Sequence, residues 1–292
     1  MRQRNEHTIA HHCQVRGRGY WSGQQVTVRM LPASIGTGIR MVRTDLAEKP
    51  ILEANVTNRE EQNLRTTLVN GNARFAMVEH LMAALYALEI DNCIVEVNAE
   101  ELPGLDGSAA AYVDALRSAG LVIQATSRSR LVIDRTIRVG TAANWLEVSP
   151  SPDNFGHYEY NLDYGTEGPI RPQIYRTALR AEHFCREIAP ARTFVTAAQA
   201  EQLRDAGVAQ HVTGKDLLVF DQQGPVDNLL RFENECARHK LLDLVGDLAL
   251  VGCDLIGTIV SYRGGHSLNG MLAKKLYKMA QQGLESDQRR AA

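Results

Sequence analysis

The chain has 292 residues, of which 44% are hydrophobic and 23% are charged, and its formal net charge is −2. These values are typical of an ordinary globular protein of one large or two medium domains, and they exclude a strongly basic surface that coats nucleic acid. No apolar run approaches the ~20 residues of a membrane span. The five scattered cysteines form no CxxC pair, which predicts reduced thiols and a cytoplasmic location.

Strands and helices alternate along the first half of the chain. Alternating apolar residues predict a strand over 24–33, and FAMVEHLMAALYALEI predicts a helix over 75–90. The apolar run CIVEV predicts a strand over 93–97. SAAAYVDALRSAG predicts a helix over 108–120 that ends at Gly120.

The second half has a similar order of elements. We predict strands over 130–139, 144–150, 157–164, 216–220 and 255–262, and helices over 196–207, 238–247 and 267–282. In both halves a histidine-containing helix leads to an apolar strand, a glycine-containing turn and another helix. We therefore predict an α+β fold of two domains, residues 1–125 and 126–292, each a β-sheet with packed helices in a similar β-α-α-β plan. The polar stretch over 124–130 is a candidate linker.

The helix RHKLLDLVGD, residues 238–247, is apolar on nearly all sides but carries three polar residues spaced by four. This spacing places His239, Asp243 and Asp247 on one face. Buried carboxylates need an ionic partner or a metal. His239 and Asp243 could supply two of the three protein ligands that a catalytic zinc usually has. A buried His–Asp hydrogen bond is the alternative.

A second polar pair, Glu79 and His80, interrupts the apolar helix predicted over 75–90. Adjacent helical residues point about 100° apart, so one side chain can bind a metal while the other reaches a water molecule. We expect His80 to be the third ligand and Glu79 to be the general base. The alternative is that the pair marks the solvent edge of the helix.

His266 follows two glycines in RGGHSLNG, and glycine permits close backbone approach. We expect a cationic imidazole aimed at developing negative charge, or a proton donor to a leaving group, oriented by Asp247. An exposed histidine in a glycine turn is the alternative. Together these signals predict a hydrolase that activates water with a metal.

Several long motifs resemble the zinc-dependent UDP-3-O-acyl-N-acetylglucosamine deacetylase family of lipid A biosynthesis. They are VEHLMAAL, DNCIVEVNAEELPGLDGSAAAYV, ARTF, LRFENECARHKLLDLVGDL and YRGGHSLNG, in consistent order. The resemblance implies a two-domain α+β sandwich and hydrolysis of the N-acetyl group of a UDP-linked acylated amino sugar. It also implies one catalytic Zn²⁺. A site of two histidines and one aspartate could also accept Fe²⁺. We expect the protein to be a monomer.

The resemblance also assigns roles to residues. His80, His239 and Asp243 match the metal ligands, Glu79 the general base, His266 the general acid or electrostatic stabiliser, Asp247 its partner, and Thr193 the hydroxyl beside the oxyanion. Five further residues match substrate contacts: Phe194 near the substrate, Lys240 as a cation for the phosphates, Arg263 where the family more often has a lysine, and Asp163 and Tyr164 near the uridine.

Two departures from the family pattern affect the expected substrate contacts. GRGYWSG, residues 17–23, places Trp21 where the family has a histidine that lines the cleft, and Asn144 falls where a phosphate-binding lysine is common. Apolar residues over 193–203 are expected to contribute to the acyl-chain passage, or simply to pack the helix. Two rival functions stay open: a metallo-amidase acting on another acylated amino sugar, and a non-catalytic nucleotide-sugar binding protein.

Overall fold

The computed structural model describes residues 4–62 and 64–291. The helices are α1 (Glu79–Ala87), α2 (Ala110–Ala119), α3 (Ala181–Glu187), α4 (Ala197–Asp205), α5 (Glu235–Ala249) and α6 (His266–Ala291). The strands are β1 (Asn5–Ile9), β2 (Cys13–Arg18), β3 (Gln25–Pro32), β4 (Ile39–Arg43), β5 (Ile51–Glu53), β6 (Arg59–Glu60), β7 (Thr67–Asn70), β8 (Ala73–Ala76), β9 (Cys93–Val97), β10 (Leu121–Ser127), β11 (Arg130–Val132), β12 (Ile137–Gly140), β13 (Trp145–Ser149), β14 (Gly156–Leu162), β15 (Gln173–Ala178), β16 (Phe194–Thr196), β17 (Leu218–Asp221), β18 (Gly224–Pro225) and β19 (Asp254–Tyr262).

The two largest sheets repeat one strand order. The first runs β2-β3-β9-β4-β5 and the second β12-β13-β19-β14-β15, with β11 also paired to β19. In the first sheet the central strand β9 is antiparallel to β3 and parallel to β4. In the second, β19 is antiparallel to β13 and parallel to β14. The prediction of an α+β fold with two similarly built halves is therefore confirmed.

The equivalent helices α1 and α5, which precede the two central strands, pack against each other. Gly246 of α5 makes this contact possible, because a Cβ atom added there would lie 2.0 Å from the carbonyl oxygen of Glu79. Both helices are buried almost completely, including Leu81 of α1 and Leu241 of α5. Glu79 and His80 of α1 are also buried, as are His239, Asp243 and Asp247 of α5.

Two of the predicted elements differ markedly from the structure. The helix predicted over 75–90 begins at Glu79, because residues 73–76 form β8. The strand predicted over 130–139 is split into β11 and β12.

The candidate linker over 124–130 lies largely in β10, which pairs antiparallel with β1 through Ile9↔Leu121 and Thr8↔Val122. The division into domains at residues 125 and 126 falls inside β10 and stays a prediction. Among the described residues, no helix combines the length and apolar character needed to cross a lipid bilayer.

Candidate metal centre and active site

Packing of α1 against α5 brings three potential ligands together. One ligand atom from each of His80, His239 and Asp243 lies within 4.8 Å of the other two, and all three residues are buried. The Oδ1 atom of Asp243 is 3.6 Å from Nε2 of His80 and 3.5 Å from Nε2 of His239. The residues that the sequence predicted to meet, 80, 239 and 243, therefore do meet.

The chemistry of this donor set fits a divalent transition metal. Nδ1 of His239 lies 3.1 Å from the carbonyl oxygen of Ala191, so an Nδ1–H donor there leaves the Nε2 lone pair facing His80 and Asp243. Burial lowers the pKa of His239 to about 3, so its imidazole is neutral, as a metal ligand must be. Two imidazole nitrogens and one carboxylate oxygen match a catalytic zinc site with a fourth position free.

Glu79 is buried beside these ligands and its carboxylate is held in place. Its Oε2 atom accepts a hydrogen bond of 3.0 Å from the backbone N–H of Thr66. Burial raises the pKa of Glu79, in spite of the opposing effects of His266 and His80. The carboxylate therefore has increased affinity for a proton, which is the property that a general base needs.

His266 and Asp247 form a buried ion pair next to the cluster. Nδ1 of His266 is 2.8 Å from Oδ2 of Asp247, and its Nε2 is 3.8 Å from Oδ2 of Asp243. Burial by itself would lower the pKa of His266, but the charge and hydrogen bond of Asp247 outweigh it and raise the pKa to about 9. His266 is therefore an imidazolium at neutral pH, with Nε2 on the side of the metal ligands.

Two residues with left-handed backbone conformation precede these groups in the chain. Met77, with φ of 61°, comes two residues before Glu79, and Arg263, with φ of 51°, comes three residues before His266. Such conformations cost about 1–3 kcal/mol each for residues other than glycine. Strained backbone conformations therefore occur just before α1 and α6, the helices whose first residues are Glu79 and His266.

A cavity of about 580 Å³ opens onto the cluster. Its lining includes the polar residues Glu79, His80, Thr193, His239, Lys240, Asp243 and His266. It also includes the apolar residues Ile170, Phe194, Val195, Leu203, Val212 and Leu217. One cavity thus combines potential metal ligands, a candidate base and a cation with room for an extended apolar group.

Comparison with known proteins matches this chain to one family over nearly its whole length. The model of the UDP-3-O-acyl N-acetylglycosamine deacetylase family matches residues 6–278. The chain belongs to this family. The UDP-3-O-acyl-N-acetylglucosamine deacetylase of Citrifermentans bemidjiense is 34% identical over 275 residues, covering 94% of this chain and 89% of the relative. The protein of the same name from Brucella ovis is 38% identical over 272 residues, covering 92% of this chain and 94% of the relative.

Two residues matched to this family by the resemblance lie directly against the cluster. The Oγ1 atom of Thr193 is 3.1 Å from Nε2 of His239 and donates a hydrogen bond of 3.0 Å to the carbonyl of Gly107. Nζ of Lys240 donates a hydrogen bond of 2.7 Å to Oδ2 of Asp243. Burial would raise the pKa of Asp243, but the charge of Lys240 opposes it and the pKa is lowered, so Asp243 is ionised.

The other matched residues line a second cavity of about 320 Å³. Asp163, Tyr164 and Arg263 lie there together with Asn144, and Tyr164 also lines the larger cavity. The ring of Tyr164 is 6.5 Å from that of Phe194, centre to centre. The structure therefore places Asp163 and Arg263 beside the metal cluster's cavity and not within it. Their roles in substrate binding stay predictions.

Sequence reasoning missed several residues at the site. Thr66 contacts Glu79 and Asp247, and Asn269 donates a hydrogen bond of 2.8 Å to Oδ2 of Asp247. Arg65 lines the larger cavity, and its guanidinium lies 4.7 Å from the centre of the Trp21 ring. Asn269 follows His266 by three residues on one helix, so helical spacing could have identified it. Thr66 had no such local signal.

Proposed function

We propose that this protein hydrolyses the N-acetyl group of UDP-3-O-acyl-N-acetylglucosamine. The products are acetate and UDP-3-O-acyl-glucosamine, and this reaction is the committed step of lipid A biosynthesis. The observation that carries the proposal is the convergence of His80, His239 and Asp243 in one cavity with a buried Glu79 and a cationic His266. Membership of the deacetylase family supports the choice of substrate.

We propose that His80, His239 and Asp243 hold Zn²⁺, although Fe²⁺ suits the same donors. When bound, such an ion lowers the pKa of a water molecule to about 7 and polarises a carbonyl group. The proposal is supported by the burial of all three ligands and by the hydrogen bond at Nδ1 of His239, which leaves its Nε2 atom unprotonated.

The protein side chains carry the proton transfers in this proposal. Glu79 accepts the proton of the attacking water, for which its raised pKa suits it. The imidazolium of His266 and the hydroxyl of Thr193 stabilise the negative charge that develops on the amide oxygen. The C–N bond then breaks, and the amine leaves with a proton from Glu79 or His266.

We propose that the two cavities divide the substrate between them. The apolar lining residues of the larger cavity, such as Phe194 and Leu203, suit the acyl chain. The smaller cavity, with Asp163, Tyr164 and Arg263, suits the uridine and phosphates, and Lys240 lines the larger cavity. Trp21 replaces the family's histidine at the larger cavity, and Asn144 stands at the smaller one.

We also propose that the protein is a cytoplasmic monomer. The five cysteines are free thiols, as a reducing compartment maintains. Light scattering coupled to size-exclusion chromatography tests the monomer, because a dimer would elute with twice the mass of 32.3 kDa.

Acetate release tests the proposed activity. Purified protein is incubated with UDP-3-O-acyl-N-acetylglucosamine, with and without a chelator, and metal content is measured on the same sample. We expect acetate that disappears with the chelator and returns with Zn²⁺. UDP-N-acetylglucosamine without the acyl chain and free N-acetylglucosamine are the comparison substrates. Faster turnover of another acylated amino sugar would favour the rival amidase, and binding without acetate release would favour a non-catalytic protein.

A further inference from the structure

Thr66 contacts both sides of the proposed active site. It lies directly before β7, and its side chain is completely buried. Its backbone N–H donates a hydrogen bond of 3.0 Å to Oε2 of Glu79. Its hydroxyl donates to Oδ1 of Asp247, and the same Oγ1 atom lies 3.2 Å from Nδ1 of His266. One residue thus links the candidate base to the candidate acid and its partner.

The carboxylate of Asp247 is hydrogen-bonded at both oxygens, and Thr66 contacts one of them. Asp247 is completely buried, and its Oδ2 atom accepts hydrogen bonds of 2.8 Å from both His266 and Asn269. Its other oxygen, Oδ1, receives the hydroxyl of Thr66. Without that donor, the buried Oδ1 atom would lose this hydrogen bond, and the carboxylate that holds His266 would be fixed at Oδ2 alone.

We propose that Thr66 is a positioning residue of the deacetylase reaction. Its N–H fixes the carboxylate of Glu79, while its hydroxyl fixes Asp247, which orients His266. This inference rests on the proposed function. The Thr66 hydroxyl should affect the rate of the chemical step and not the binding of metal or substrate. Thr66 is neither a potential metal ligand nor part of the lining of either substrate cavity.

Thr66→Val tests the proposal, because it replaces the hydroxyl with a methyl group and keeps the N–H that binds Glu79. We expect kcat for acetate release to fall about tenfold, the loss that follows from one hydrogen bond to a charged group. KM and metal content should not change. Thr66→Ser, which restores the hydroxyl, should recover most of kcat.

Thr67→Val is the matched control. Thr67 is the next residue, is equally buried, and donates its hydroxyl to Gln62 at 3.1 Å, outside the site. We expect its kcat to equal that of the unmodified protein. In an Asp247→Asn background the effect of Thr66→Val should shrink, because the two residues act through the same hydrogen bond.

Several results would contradict the positioning role of Thr66. Unchanged kcat in Thr66→Val, an equal loss in Thr67→Val, a loss of bound metal, or failure of the serine to restore kcat would overturn the positioning role. If the valine variant does not fold, Thr66→Ala replaces it, and failure of both to fold would assign Thr66 to structure alone. Absence of acetate release from the unmodified protein would instead refute the proposed function.

Discussion

At the scale of single residues, Glu79 and His80 are neighbours with different expected tasks. His80 faces the ligand cluster, while the Glu79 carboxylate is held by Thr66 and has a raised pKa. We expect Glu79→Gln to retain bound metal but to lower kcat by about 10²- to 10⁴-fold, since a neutral amide cannot accept the proton of water. Acetate release and metal analysis of one preparation measure both quantities.

The control for this substitution is Glu100→Gln, an exposed glutamate paired with Arg74 outside the cavity. Its turnover should match that of the unmodified protein. Full activity of Glu79→Gln on the acylated UDP-sugar would show that another group is the base.

His239 differs from Glu79 because its ring nitrogen belongs to the potential ligand set. We expect His239→Ala to lose both metal and turnover, because two remaining donors cannot complete the three-ligand site of a catalytic zinc. His157→Ala removes a half-buried histidine whose ring is hydrogen-bonded to Asp153, and this variant should keep both metal and turnover. Metal content measured by mass spectrometry, alongside acetate release, checks the pair. Normal metal content in His239→Ala would remove it from the ligand set.

At the scale of secondary-structure elements, the site depends on how closely α1 approaches α5. A methyl group at Gly246 would lie 2.0 Å from the carbonyl oxygen of Glu79, and this backbone atom cannot move aside as a flexible side chain would. Alanine favours a helix over glycine by about 1 kcal/mol, while overpacking a core costs about 1–3 kcal/mol. We expect the clash to dominate, so Gly246→Ala should lower the free energy of unfolding and weaken metal binding by separating His80 from His239.

Gly283→Ala in α6 provides the comparison, since among the described residues no heavy atom outside the neighbouring helix backbone lies within 4 Å of a Cβ atom added there. It should leave Tm unchanged or raise it slightly, through helix propensity alone. Thermal unfolding and zinc titration of both variants test the argument. Equal Tm values for the two alanine variants would mean that α1 and α5 can separate without cost.

The residues of the site differ in how far the sequence could predict them. His239, Asp243 and Asp247 could be predicted because helical spacing is local, and Glu79 and His80 because a polar pair in an apolar helix is conspicuous. The start of α1 was misplaced because FAMVEHLMAAL is apolar across both β8 and α1, so periodicity alone does not separate strand from helix.

Contacts between segments that are distant in the chain could not be predicted from a local sequence pattern. Thr66 meets Asp247 across 181 positions of sequence, and the carbonyl of Ala191 meets His239 across 48. A threonine before a strand and a backbone carbonyl carry no pattern of their own. Their proximity to the site follows from tertiary packing of β7 and of the segment before β16 against α5, which local periodicity does not encode.

At the scale of the whole molecule, Arg4 joins the starts of the two central strands. Its guanidinium donates to both oxygens of Asp91, at 2.6 and 2.8 Å, and to both oxygens of Asp254, at 2.8 and 2.7 Å. Asp91 lies just before β9, and Asp254 is the first residue of β19. Arg128 adds a contact of 2.9 Å to Asp91. The Arg4 guanidinium, through four hydrogen bonds, thus connects the two repeated sheets at the edge where their central strands begin.

We expect Arg4→Met to reduce the free energy of unfolding by about 3 kcal/mol, because it leaves the buried carboxylate of Asp91 with one cation fewer. Arg4→Lys keeps the charge but lacks the planar guanidinium group. Its free energy of unfolding should therefore lie between those of Arg4→Met and the unmodified protein. Arg16→Met changes an exposed arginine in the adjacent strand β2 and should have little effect. Urea unfolding of the four proteins gives the comparison. If Arg4→Met were as stable as Arg16→Met, the ion pairs at Arg4 would contribute little to stability. The contact between the two halves would then depend on the packing of α1 on α5.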